Sequence, residues 1–192
     1  MPILILGLVL FLGVHSVHLL APGWRKRAIA RIGFLPWKGL YSVVAIVGLA
    51  LIVIGFGMTR AQPHLLYVPP MWLKHLNALF TLLAFVLVAA AYVPHNHLKA
   101  KIGHPMLAGV KLWALGHLLA TGFVHDVVLF GAFLVWAVAD FAASRRRDRM
   151  AGTVYPVGRL AGDALAVVAG VAAWAIFAFL LHQRLIGVSP FI

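Results

Sequence analysis

Residues 39–58 read GLYSVVAIVGLALIVIGFGM, a run without a single charged side chain. At about 1.5 Å of rise per residue it would cover about 30 Å, the thickness of a bilayer's hydrocarbon core. Its apolar residues are contiguous and do not alternate. That excludes a barrel strand, which is about ten residues long with every second side chain polar. In hydrocarbon only helices and closed barrels satisfy every backbone N–H and C=O. The stretch therefore reads as a spanning helix. Moving outward, similar runs lie at about 2–21, 71–93, 105–122, 124–143 and 161–182. The expected fold class is all-α, a polytopic membrane bundle of about six transmembrane helices. No linker divides the chain, so one transmembrane domain over 1–192 is expected.

Composition agrees. The chain has 192 residues, 64% hydrophobic and 10% charged, against about 45–50% and 25% in soluble globular domains. A soluble globule could not hide that apolar surface, and disordered chains are the reverse, apolar-poor and charge-rich. Cysteine is absent, which removes disulfides, thiolate-ligated haem, iron–sulfur clusters and covalent c-type haem. The first run begins at Pro2, and its basic residues, Arg25, Lys26 and Arg27, follow rather than precede it. A signal peptide has the opposite order, so the run is read as an uncleaved span.

The formal charge is +12, with all four acids being Asp. In a soluble domain such an excess would point to nucleic acid. Here it sits in short blocks between apolar runs, where it suits anionic headgroups and sets orientation. Arg25, Lys26, Arg27, Arg31 and Lys38 follow the first run. Lys99 and Lys101 follow the third, and Arg145, Arg146, Arg147, Arg149 and Arg159 follow the fifth. The opposite side has Arg60, Lys74 and Arg184. The positive-inside rule then places both termini outside the cytoplasm. Asp140 and Asp163 flank the last basic block and are expected to pair with its arginines. Trp37, Trp72 and Trp136 are read as interface anchors. Ala45, Gly48, Gly131, Ala132, Ala139, Gly162, Ala166 and Gly170 are read as sites of close helix packing.

Ionisable residues inside a membrane each need a reason, and this chain has ten histidines. His15 and His18 are three apart and share one face of the first helix. The fourth helix opens at His104-Pro105, where proline suits a first turn. Lys111 shares the face of His104, whereas His117, about 140° away, shares one with Trp113. Counting from the cytoplasmic ends, His15 lies about 9 Å deep and His117 about 20 Å deep, the deepest of the set. That offset is compatible with ligands approaching a tilted haem from two sides. Packing is the plainer alternative, since a membrane histidine can simply bond a neighbouring helix. It is the reading adopted for His64, His95, His97 and His125, and the one favoured for His75 and His182. At His15, His18 and His117 both readings stand. Lys111 either snorkels to the interface or has a buried role. A di-iron site needs more histidines or bridging Glu. Zinc hydrolysis needs three ligands and a general base. Haem b, held by one or two neutral imidazoles, asks least of this sequence.

The stretch HPMLAGVKLWALGHLLATG (104–122) is the distinctive one. With LGVHSVHLLAP (12–22), KGLYSVVAIVGLALIVIGFG (38–57) and VLFGAFLVWAVAD (128–140), it resembles the NnrU family over nearly the whole chain. That resemblance implies a bacterial membrane protein associated with nitrite and nitric oxide metabolism in denitrifiers. The family is related to the haem-b-dependent zeta-carotene isomerase, an integral membrane enzyme. By position, the isomerase's haem-associated histidines match His15 and His117. Where the isomerase has a cysteine, three residues before the second histidine, this chain has Ala114, and Thr121 stands where relatives often have Asn. The candidate cofactor-contacting set is His15, His18, Lys111, Trp113 and His117, with His15 and His117 as the expected iron ligands. The leading expectation is a haem-b-binding inner-membrane protein of nitrogen-oxide metabolism. The alternatives are a haem-dependent cis–trans isomerase of a polyene, and a cofactor-free small-anion transporter with Lys111 on its path.

Overall fold

The computed structural model describes residues 1–190. Its helices are α1 (Pro2–Leu20), α2 (Pro22–Ile32), α3 (Phe34–Arg60), α4 (Met71–Tyr92), α5 (His97–Ile102), α6 (Pro105–Ala120), α7 (Val124–Ala151), α8 (Leu160–Ile176) and α9 (His182–Ile186). A π-helical turn, Phe177–Leu181, joins α8 to α9 into one rod. Among the described residues the only β pairing is an isolated antiparallel bridge between Leu65 and Phe123. Five of these rods are long and apolar enough to cross a membrane. The expected sixth, α6, is apolar but has 16 residues, about 24 Å of rise. The molecule is thus a polytopic helical membrane protein. Large apolar side chains such as Val9, Ile46, Val53, Val168 and Phe179 point outward, as they do where lipid is the solvent.

The spans match the apolar runs, and the departures have local causes. α3 begins earlier than the apolar run, because Pro36 sits in its first turn, where a missing N–H is harmless. α7 runs on through the Arg145–Arg149 block, since nothing in that block breaks a helix. The loop after α1 is itself a helix, α2. α5 is also a helix. The Asn96 side chain caps it by accepting from Lys99 N at 2.7 Å. The Asn96 amide donates to the carbonyls of Ala90 and Val93 at 2.9 and 2.6 Å. Asn96 is 1% exposed, and its role is to turn the chain out of α4.

The chain forms two compact units. The first comprises residues 1–66 and 123–132; the second comprises 67–122 and the residues from 133 onward. In the first unit α1 packs along α3 through glycines. A Cβ at Gly7 would come 2.6 Å from Ile52 N, and one at Gly48 would come 2.7 Å from Phe11 N. One at Gly55 would strike the backbone of Leu4. Backbone contact of this kind is how membrane helices gain dispersion energy without a hydrophobic drive. In the second unit α4 packs against both α6 and α8. Gly109 faces Ala84 O, Gly170 faces the backbone of Val86, and Ala90, Ala114 and Ala166 are sealed between helices. Trp174 Nε1 donates to Thr81 Oγ1 at 3.1 Å, tying α8 to α4. Gly48, Gly162, Ala166 and Gly170 are thus packing residues as expected. Gly131 is not, since a Cβ there would meet nothing within 4 Å among the described residues, and Ala139 is exposed.

Two charge expectations part company. Asp140 does pair with the basic block, at 3.8 Å from Arg147, with Ser144 between them. Among the described residues Asp163 pairs with no arginine. It accepts from both the backbone N (2.7 Å) and the ring Nδ1 (2.6 Å) of His97. Its place in the first turn of α8 favours an anion there. Two tryptophans also differ from expectation. Trp37 is buried edge-on to Trp24, and Trp136 lies mid-helix with its indole nitrogen buried. Trp72 is exposed at the start of α4, as an anchor would be.

Candidate functional site

Helical geometry fixes how each candidate histidine presents its ring. His15 Nδ1 lies 2.6 Å from the carbonyl oxygen of Phe11, one turn back on α1. His117 Nδ1 lies 2.8 Å from the carbonyl oxygen of Trp113, one turn back on α6. His18 Nδ1 lies 2.8 Å from the carbonyl oxygen of His15. A carbonyl can only accept, so in each ring Nδ1 carries the proton. The neutral imidazole then has its lone pair on Nε2. Metal-ligating histidines are commonly oriented in this way, their second nitrogen donating to a backbone carbonyl.

In the first unit, His15 lies tilted against Phe11, with centroids 4.3 Å apart, and meets the edge of Tyr41 at 5.3 Å. Ser16 spends its hydroxyl on Leu12 O at 2.7 Å. In the second unit, His117 lies 5.4 Å from the Trp113 ring, which in turn meets Phe133 edge-on. Thr121 Oγ1 donates to His117 O at 2.7 Å, closing the end of α6. Gly116, the residue before His117, packs onto Asn77 Oδ1 of α4. That oxygen is buried and, among the described residues, accepts no hydrogen bond. The Lys111 ammonium lies 3.6 Å above the Phe141 ring, a cation–π contact within the second unit. Trp113 and His117 therefore form one cluster and His15 with His18 another, while Lys111 is engaged elsewhere on α6. Among the described residues no three His or Asp side chains converge as a metal-binding group. The donors offered are single imidazoles.

Two polar assemblies escaped the sequence reading. At the basic end of the second unit, Asp148 Oδ2 accepts from His104 Nε2 at 2.8 Å and from Tyr155 OH at 2.6 Å, with Arg145 at 4.0 Å. Burial together with that carboxylate pushes the Tyr155 phenol up to about 12. Asp148 was the one signal, a lone acid inside an arginine run. In the first unit, His125 is stacked on Phe123, meets Phe56 edge-on and lies 3.7 Å from Asp126. His125 and Asp126 are both nearly sealed, at 4% and 5% exposed. His125 also lines a small cleft with Met1, Met58, Thr59, Gln62, His64 and Val124.

A family model described as "NnrU protein" matches residues 3–190. No curated protein and no solved structure matches the chain.

Proposed function

The chain belongs to the NnrU family, and from that premise we propose that it binds haem b in a bacterial inner membrane and serves nitrite and nitric oxide metabolism. The carrying observation is the shared geometry of His15 and His117. Each has Nδ1–H tied to a helix carbonyl and Nε2 as the lone-pair nitrogen. Neutral imidazoles with a fixed tautomer are the ligands that would hold a haem iron. The aromatic surroundings, Phe11 and Tyr41 at His15 and Trp113 at His117, suit a flat apolar macrocycle. Haem would supply one-electron chemistry or a nitric oxide site; the chain's own part is to orient the imidazoles and keep water away. Arginine and lysine placement supports both termini lying in the periplasm.

Purification in mild detergent, followed by absorption spectra before and after dithionite, tests this reading. A Soret band with sharp reduced α and β bands at near-stoichiometric haem is expected. His117→Ala and His15→Ala should each lose or alter that spectrum while still inserting. A colourless wild type expressed with haem precursor, or haem content unchanged in both variants, would overturn it. Isomerisation of a polyene is a weaker reading. Ala114 puts a sealed methyl group where the isomerase has a cysteine. Carotenoid composition in a host making the cis substrate checks it.

A further inference from the structure

We propose that α2 is an in-plane membrane helix that binds anionic phospholipid headgroups through Lys26, Arg27 and Arg31. Connectivity fixes where α2 can lie. Only Ala21 separates it from α1, and only Gly33, with φ 88°, separates it from α3. Both neighbours are long enough to span a membrane. A helix tied so shortly between two spans must lie where they leave the hydrocarbon.

Its surface has two sides. At 100° per residue, Lys26, Arg27 and Arg31 fall within one sector of about 140°, and Trp24, Ala28, Ile29 and Ile32 fall in the opposite one. Arg25 lies at the apolar side, half-buried, on a stem long enough to bring its charge to the surface. None of the residues of α2 is buried. Trp24 is 52% exposed and Ile32 48%, and Phe34 and Leu35 continue the apolar strip into α3. The edge-on contact of Trp24 with the buried Trp37 fixes α2 against α3.

Charge complementarity selects the occupant. The chain has only four acids, and among the described residues none of them pairs with Lys26, Arg27 or Arg31. The anions must come from outside the chain. Free phosphate could meet the cations but would leave Trp24, Ile32, Phe34 and Leu35 in water. A phospholipid surface satisfies both sides at once: headgroups meet the cations, and the acyl boundary takes the apolar strip. The inference is independent of haem.

The test uses the full chain in phosphatidylcholine bilayers doped with equal mole fractions of brominated phosphatidylglycerol or brominated phosphatidylcholine. The Trp24 signal is the fluorescence difference between wild type and Trp24→Phe. Both lipids should quench it, with a clear excess for phosphatidylglycerol. The combined Lys26→Gln, Arg27→Gln, Arg31→Gln variant should lose that excess but keep the phosphatidylcholine quenching, which also reports that it has inserted. Each cation should contribute roughly a five-fold enrichment of anionic lipid at low salt, fading at high salt. Equal quenching by the two lipids in wild type would overturn the proposal. So would an excess that survives in the triple variant, or no quenching by either lipid. Inorganic phosphate that erases the excess more than chloride of equal ionic strength would assign a free-phosphate site and also overturn it.

Discussion

His15 and His117 were legible in the sequence as deep polar residues on apolar helices. What made them distinctive was not. A carbonyl one turn back accepts from Nδ1 in each case, and only a built helix shows which nitrogen is left with the lone pair. Tyr155 was invisible for another reason: its partners are Asp148, seven residues back, and His104, 51 residues back, which folding brings together across a loop. Its neutral phenol is the stabilised form, held up to about 12 from an ordinary value of 10.0. The pairing therefore contributes fully below pH 10 and is lost as pH rises through about 12. Titrating phenolate absorbance should show a late step near pH 12, and Tyr155→Phe should remove it. A late step that survives the substitution would reassign it.

The apolar runs announced the spans because length and hydropathy suffice for a helix in lipid. α2 and α5 gave no such signal. α2 is dense in charge, and α5, six residues long, forms because Asn96 and Asp163 hold it. Asp163→Ala should therefore free α5 without disturbing the spans. Limited trypsin digestion should then cut faster at Lys99 and Lys101, with overall thermal unfolding little changed. The α1–α3 seam makes a sharper prediction. A methyl group at Gly55 meets backbone, whereas one at Gly13 meets open space. Gly55→Ala should lower stability by about 1–3 kcal/mol through overpacking. Gly13→Ala should be neutral or stabilising by up to about 1 kcal/mol through helix propensity. Thermal unfolding in detergent compares the two, and equal shifts would refute the seam. Glycine positions were readable as packing sites only in part, since Gly48 and Gly131 look alike in sequence and only one touches a neighbour.

At the scale of the molecule, the distribution of lysine and arginine predicts the topology. A C-terminal alkaline phosphatase fusion should be active in a bacterial host, and a C-terminal green fluorescent protein fusion exported through the same route should be dark. The reverse pattern would invert the assignment. Connectivity has a further consequence, for synthesis. The first unit is discontinuous, its final piece, residues 123–132, arriving only after α4, α5 and α6 have been made. On the ribosome it must wait, half-built, while the first hairpin of the other unit emerges at about 5–20 residues per second. A transcript truncated after Gly122 would leave α1–α3 without the turns that carry His125 and Asp126. Neither unit can be inherited, shuffled or expressed as a single uninterrupted stretch of gene.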